Sequence, residues 1–225
     1  MVGGVLLALT IVTAFAVVTF TDADTCVVSL VVLTFTGYEP AVVGFLTELT
    51  VTATPSQHFS GRTPGSRNST LWSSLVIRSP RHTVFFSGDT GLTTEYQSIR
   101  ERFGPFDLVM LEVGAFHPSW GDMHLGPENA LKALALLGGG TFLPIHWGTF
   151  ALGMHPWDQP AETLLQLAPR SGAQLMMPRL GAPTEPAHAE VVEPWWREAK
   201  ARRRRRGLGS LVGGTLPKTL PWPLD

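Results

Sequence analysis

The stretch DLVMLEVGAFHPSWGDMHLGPENALKALALLGGGTFLPIHW, residues 107–147, decides the fold because a strand, a helix and a second strand follow one another in it. Its first eight residues form a strand that begins at Asp107 and is otherwise apolar except for Glu112. The helix PENALKALALL has Pro127 at a first helical position and ends at three glycines. TFLPIHW (141–147) is the next strand.

The same alternation continues on both sides of this stretch. Thr94 and Gln97 are spaced as a capping box at the start of a further helix, and Gly104 is placed to end it. Strands that alternate with helices predict an α/β layer structure with the strands buried on both faces. The additional predicted strands are 49–54, 71–78, 83–88 and 173–178, and the additional predicted helices are 93–103 and 161–168.

The first 48 residues differ from the rest and are predicted to be a hydrophobic leader rich in Val and Thr. Residues 2–20 carry no charge and are long enough to cross a bilayer as a helix. Val and Thr favour strands, however, and no basic residue precedes the run, as a signal peptide would require. A membrane-spanning or signal-like segment, buried strands and a non-native leader therefore stay open as alternatives, and with them a membrane-associated or a cytoplasmic location.

Charge and cysteine content narrow the classes of protein to which this chain can belong. The net charge is −1, but the first basic residue is Arg62, so the opening stretch is acidic and the remainder basic. The single cysteine, Cys26, excludes an intrachain disulfide and a cysteine-rich zinc module. Residues 198–225 contain the run Arg202–Arg206 and are predicted to be a basic, disordered tail. No serine-nucleophile elbow and no phosphate-binding glycine loop occur.

Chemically active side chains follow the predicted strands where each strand ends. Reactive groups of open α/β sheets gather beyond the carboxyl ends of the strands, so these side chains are expected at one edge. The candidates are His58 after 49–54, Asp89 in GDTG, His117, Asp122 and His124 in the loop after 107–114, and His146 after 141–145.

Neutral imidazoles and a carboxylate are the ligand set of a zinc or mixed-metal hydrolase, where the ion acidifies a bound water. A single histidine at a strand end is more often structural, but three strand ends that agree favour a metal site. His82 and His188 are expected to be solvated, and His155 is a weaker candidate for a substrate loop.

Several linked motifs resemble the metallo-β-lactamase superfamily, and within it the branch of N-acylphosphatidylethanolamine-hydrolysing phospholipase D and its bacterial relatives. The resemblance covers about residues 49–197, and the spacings of 31 residues from His58 to Asp89 and 57 from Asp89 to His146 suit the family. The matching stretches are TPSQHFSGR, TLWSSLVI, FFSGDTG, RFGPFDL, MHLGPENA and IHWGTFAL.

The resemblance implies an αβ/βα sandwich and a site for two zinc ions. His58 resembles a histidine of the first metal site, Asp89 the bridging aspartate, and His146 the terminal histidine of the second site. His124 stands where this branch has a histidine near the substrate phosphate, which implies a catalytic role in orienting the phosphate or protonating the leaving group. The implied reaction is phospholipase-D-like phosphodiester hydrolysis by water that the metal activates.

One departure from the family pattern limits what is expected. The signature His-x-His-x-Asp-His should precede His58, yet residues 1–57 contain no histidine. Each ion would keep one histidine and a shared Asp89, which is too few ligands for a tight zinc site. We therefore expect the C-terminal half of the sandwich over residues 49–197. The alternative function is a truncated or degenerate, catalytically inactive member of the family, associated with a membrane through 2–20.

The implied partner is a phospholipid or another small ester or phosphodiester. Membrane contact and a homodimer are open alternatives. A nucleic-acid partner is not favoured, because only the Arg202–Arg206 run supports it and no interleaving of basic and aromatic residues occurs elsewhere.

Overall fold

The computed structural model describes residues 11–20, 25–36, 39–61, 63, 65–151, 153–188 and 191–202, and only the backbone of those before residue 49. Seven strands form one sheet, and their order in the sheet is their order in the chain. The first five pair antiparallel, whereas β5, β6 and β7 run parallel. The strands are β1 Ile11–Phe20, β2 Thr25–Thr36, β3 Glu39–Pro55, β4 Ser73–Arg78, β5 Thr83–Phe86, β6 Leu108–Glu112 and β7 Thr141–Ile145.

Helices connect the parallel strands, as a parallel sheet requires. Helix α2 packs against β6 and contacts both α1 and α3. A 3₁₀ segment, Pro118–Met123, precedes α2 and passes over the carboxyl edge of the sheet. The helices are α1 Glu95–Phe103, α2 Gly126–Leu136, α3 Gln159–Ser171 and α4, residues 195–202, and a short 3₁₀ helix lies at Pro186–His188.

The main core lies between the parallel strands and the helices. Phe85, Val109, Leu111 and Phe142 have no exposed surface, so the middle of each parallel strand is anchored by an apolar side chain. Burial of side chains of this size contributes about 1.5–3 kcal/mol each. This core fixes the register of β5, β6 and β7, and therefore the relative positions of the residues that follow them.

Three details of the predicted elements are corrected by the structure. The predicted last strand, 173–178, is a single parallel bridge between Leu175 and Phe142, because Pro178 has no N–H to continue the pairing. Thr94 precedes α1, but its side chain makes no capping hydrogen bond, so the predicted capping box is absent. The third predicted helix is longer than 161–168, since Pro160 lies within its first turn and Gly172 ends it in the left-handed conformation.

The N-terminal stretch forms strands where the structure describes it. Strands β1 and β2 lie within the predicted leader, and β3 crosses the boundary set at residue 48. Residues 2–10 of the candidate membrane segment lie outside the described residues, so the prediction for 2–20 stays a prediction. In the described part of the chain, no helix has the length and apolarity to span a bilayer.

The C-terminal segment docks on the domain through tryptophans and three ion pairs, Glu162–Arg197, Asp158–Lys200 and Arg179–Glu198. Trp196 is fully buried, and Trp147, Trp195 and Trp196 contact one another at ring-centroid distances of 5.4 to 5.8 Å. Helix α4 extends the ordered chain past residue 197, where the basic tail was predicted to begin. Of the arginine run, residues 203–206 lie outside the described part, and Arg202 pairs with Glu198.

Glu162 on α3 provides a pH-dependent anchor for this segment. Its carboxylate accepts hydrogen bonds from Trp196 and from two nitrogens of Arg197, and the Arg197 hydrogen bond lowers the pKa of Glu162 to about 2. Because the folded-state pKa is depressed, its stabilisation is present above about pH 4.5 and is lost as pH falls toward 2. We expect Glu162→Gln to lower the free energy of unfolding by about 1 kcal/mol at pH 7.

Urea unfolding of wild type and variant between pH 7 and pH 2 measures this difference, which should shrink as the pH falls. Glu198→Gln is the matched control, because Glu198 also pairs with two arginines but is exposed. A difference for Glu162→Gln that is independent of pH would contradict the assignment.

Candidate metal centre

The carboxyl ends of β5, β6 and β7 meet at one edge of the sheet. Asp89 follows β5, Glu112 is the last residue of β6, and His146 is the first residue after β7. Glu112 pairs in register with Ile145, the residue before His146. Parallel pairing thus places the carboxylates of Asp89 and Glu112 and the imidazole of His146 side by side, at the ends of three neighbouring strands.

His146 is held at this edge by its backbone. Its φ of +61° is in the left-handed region, which is unusual for a residue with a side chain and turns the chain sharply at the end of β7. Gly114 approaches so closely that a Cβ there would lie 1.9 Å from the His146 carbonyl oxygen. A glycine at the end of β6 is therefore required for the position of His146.

The GDTG loop that carries Asp89 is fixed on both sides. The Gly91 N–H donates to the Gln57 carbonyl, and the Gln57 N–H donates to the Thr90 hydroxyl, so the segment before His58 is tied to this loop. A Cβ on Gly91 would lie 1.7 Å from the Asp122 carbonyl oxygen, so the loop before α2 rests directly on it. These contacts bring the His58 and His124 segments to Asp89.

Glu112 is a buried carboxylate at the centre of the site. It has no exposed surface, and its Oε1 accepts hydrogen bonds from the backbone N–H groups of Thr90 and Leu125, at 2.8 and 3.2 Å. Its Oε2 lies 2.7 Å from Nδ1 of His124 and 3.3 Å from Nδ1 of His146. Burial raises the pKa of Glu112, but the hydrogen bonds with the two histidines outweigh it and hold the pKa below its usual value.

The contact between Glu112 and His146 also changes the pKa of His146. The hydrogen bond with Glu112 raises the pKa of His146 above its usual value, against the opposing effect of burial, and the charge of Asp89 adds to the increase. The metal-free centre therefore favours a proton on His146, which a metal ion has to displace.

Three imidazole rings lie next to one another, and two of them, His124 and His146, contact this carboxylate. The His124 ring stacks on the His146 ring at 5.5 Å and 11°, and the His58 ring meets His124 edge-on at 5.2 Å. Nδ1 of His58 lies 2.8 Å from the Phe59 carbonyl oxygen, an acceptor, so this nitrogen carries the hydrogen of the neutral ring. The ring of His58 also packs against the rings of Phe59 and Trp72.

The donor atoms fit a divalent metal ion. Nε2 of His146 lies 3.6 Å from Oδ1 of Asp89, close to the separation of about 3.4 Å that two ligands have when they share one tetrahedral ion at about 2.1 Å. Both side chains keep about a third of their surface exposed, so an ion can reach them. The donor atoms of Glu112, His124 and His146 also lie within 4.8 Å of one another.

The other polar residues of the strand-end loops have different positions. His117 accepts a hydrogen bond from the Ser119 N–H through Nδ1 and thereby caps the 3₁₀ segment. Asp122 contributes its carbonyl oxygen to the loop contacts. His82 lies in the β4–β5 connection and His188 in a 3₁₀ helix. His155 stacks on Phe116 and lines a cavity of about 390 Å³ that also reaches His146 and Trp147.

Glu112 belongs to this centre but is not among the candidate residues predicted from the sequence. In the sequence it is the single charged residue of an otherwise apolar strand, two residues before a glycine. A carboxylate that a buried strand removes from water must be hydrogen-bonded or paired. That signal could have identified it.

Comparison with known proteins places the chain in a family. Residues 9–147 match the family model described as Beta-lactamase superfamily domain, so the match begins within the predicted leader. An uncharacterized protein of Mycobacterium tuberculosis is 42% identical over 153 residues, which are 67% of this chain and 41% of that protein.

The mitochondrial N-acyl-phosphatidylethanolamine-hydrolyzing phospholipase D of Saccharomyces cerevisiae is 35% identical over 127 residues, 54% of this chain and 27% of that enzyme. The solved structure of an isothiocyanate hydrolase from Delia radicum gut bacteria aligns with a TM-score of 0.47 and 22% identity, over 60% of this chain and 52% of that one. The chain thus spans less than half the length of these two curated relatives. It belongs to the metallo-β-lactamase superfamily of metal-dependent hydrolases.

Proposed function

We propose that the chain is a metal-dependent hydrolase that cleaves phosphodiesters in the manner of phospholipase D, with zinc as its metal. The observation that carries the proposal is the 3.6 Å separation of His146 Nε2 and Asp89 Oδ1, with the His124 ring stacked on that of His146. The relatives named as phospholipase D support the substrate class, which is a phospholipid or another small phosphodiester or ester.

His146 and Asp89 would hold the ion, and His58, whose ring meets that of His124 edge-on, would complete the ligand set. A zinc ion at this position supplies a Lewis acid for the phosphoryl oxygen and lowers the pKa of bound water. Exposure of about a third of both side chains leaves room for the water and the substrate.

His124 would act on the substrate phosphate. Its Nδ1 is engaged by Glu112 at 2.7 Å, so its other nitrogen, Nε2, is the atom that can serve the substrate. In the forward reaction the oxygen of a water molecule bonds to phosphorus on one side of the phosphate and the water gives up a proton to solvent, while the bond to the leaving alcohol breaks on the other side. In its imidazolium form His124 carries a second proton on Nε2; this proton passes to the leaving oxygen, which removes the cost of releasing an alkoxide, and Nδ1 keeps its hydrogen bond to Glu112.

The cavity beside His146 would accept part of the substrate. Trp147, Phe150, His155 and Trp157 line it, so its surface suits an apolar or planar group. A volume of about 390 Å³ is that of a small-molecule site, which favours a compact leaving group or head group there.

The function is tested by zinc-dependent hydrolysis of bis(p-nitrophenyl) phosphate and of phosphatidylethanolamine vesicles. We expect zinc to restore activity to chelator-treated protein. We expect His124→Ala to reduce kcat by about 10²- to 10⁴-fold while zinc binding persists, because the residue delivers a proton and holds no metal. His117→Ala is the matched control from the same loop and should retain activity. Full activity of His124→Ala would contradict the assigned role.

A second candidate is a catalytically inactive member of the family. The absence of histidine from residues 1–57 favours it, since the chain then lacks the signature that completes both metal sites. Zinc content after dialysis separates the two candidates. About one ion per chain supports the hydrolase, and a markedly lower value supports the inactive member.

A further inference from the structure

The two oxygens of Glu112 are fully occupied by hydrogen-bond donors. A carboxylate offers about four acceptor sites, and this one faces two backbone N–H groups on Oε1 and two imidazole nitrogens on Oε2. The side chain has no exposed surface, so water does not compete for these sites. Binding an ion directly would require Glu112 to give up contacts that stabilise its buried charge.

We propose that Glu112 is a positioning residue that fixes the rings of His124 and His146 with Nδ1 protonated, so that Nε2 of each ring is directed to the reaction site. An acceptor beside Nδ1 selects the tautomer with hydrogen on that nitrogen and leaves the lone pair on Nε2. For His146 this is the nitrogen that faces Asp89 at 3.6 Å. The consequence for metal binding rests on the proposed function.

A single oxygen atom faces both rings. Nδ1 of His124 and Nδ1 of His146 both lie next to Oε2 of Glu112, and the two ring planes differ by only 11°. A shift of one ring therefore disturbs the hydrogen bond of the other. The metal-ligand candidate and the phosphate-facing candidate are coupled through Glu112.

Glu112 also joins the segments that carry the other site residues. Through the Thr90 N–H it holds the residue after Asp89, and through the Leu125 N–H it holds the residue after His124. One side chain at the end of β6 thus connects the loop after β5, the start of α2 and the end of β7.

The experiment compares Glu112→Gln with Asp158→Asn. Asp158 is the matched control because it is also a buried acid, 3% exposed, and pairs with Lys200. The first readout is the ¹⁵N chemical shift of the histidine ring nitrogens in metal-free protein, taken at an alkaline pH above which these shifts no longer change. The second is the zinc dissociation constant from calorimetry.

In wild-type protein we expect His124 and His146 as Nδ1–H tautomers. Glu112→Gln should mix the tautomers of both rings and weaken zinc binding by about 10- to 100-fold, whereas Asp158→Asn should change neither. Unchanged tautomers in Glu112→Gln, or equal effects of the two variants, would overturn the proposal.

The wild-type spectrum decides the matter even if Glu112→Gln does not fold, because Nε2–H tautomers at His124 and His146 would also overturn it. Failure of the proposed function gives a different result. A wild-type protein with Nδ1–H tautomers that binds no zinc would leave the positioning role intact and remove the hydrolase.

Discussion

Replacement of His146 by alanine is expected to abolish specific zinc binding, a loss of at least about 100-fold in affinity measured by calorimetry. The variant removes the nitrogen that lies 3.6 Å from Asp89, and a single carboxylate with one further histidine is too small a ligand set to hold zinc tightly. Because the side chain is 31% exposed, its removal leaves no buried cavity, but it takes a donor from the buried Glu112 carboxylate, so the free energy of unfolding should fall by about 1–3 kcal/mol.

His82→Ala is the matched control for this experiment. His82 is an exposed histidine in the β4–β5 connection and should keep the wild-type zinc affinity when replaced. Unchanged zinc stoichiometry in His146→Ala would remove His146 from the centre. An equal loss in both variants would show that zinc binds to surface histidines without a defined site.

Replacement of Gly114 by alanine is expected to damage the fold and the site together. The added Cβ would lie 1.9 Å from the His146 carbonyl oxygen, which is far inside contact distance, so the end of β6 or the end of β7 must move. Overpacking of this kind costs about 1–3 kcal/mol, and a contact with rigid backbone should reach the upper end of that range. Movement of His146 should also weaken zinc binding.

Gly172→Ala separates crowding from backbone strain. Gly172 has a φ of +70° but nothing within 4 Å of an added Cβ, so its replacement adds strain without a collision. That strain should cost about 1 kcal/mol and leave zinc affinity unchanged. Urea unfolding and zinc calorimetry measure both quantities. Equal costs for the two variants, with full zinc binding in Gly114→Ala, would contradict the close approach of β6 to His146.

Much of the parallel half of the fold can be predicted from residue pattern alone. The apolar runs after Asp107 and Thr141, with a Pro127-initiated helix between them, require a parallel pair with a helical crossover, and the structure has β6, α2 and β7 in this arrangement. The segment 173–178 was predicted as a strand because its apolar composition resembles the others. Pairing stops after one bridge because Pro178 has no N–H, a feature that apolar composition alone does not take into account.

The position of the candidate centre follows from the same pattern, whereas its internal organisation does not. Side chains that follow parallel strands reach the same edge, which is why His58, Asp89, His124 and His146 could be named together. Which nitrogen of each ring faces the site depends on the other nitrogen's partner. That partner, Glu112, is apparent only when the distances to Nδ1 of His124 and His146 are known.

The central claim is that Asp89 and His146, with His58, form a metal site. X-ray absorption at the zinc edge of the zinc-loaded full-length chain tests it most directly, because the spectrum reports the atoms bound to the ion. We predict a first shell of nitrogen and oxygen at about 2.0–2.2 Å with the outer-shell scattering of imidazole. A sulfur ligand at about 2.3 Å, or a shell of oxygen without imidazole scattering, would contradict the account.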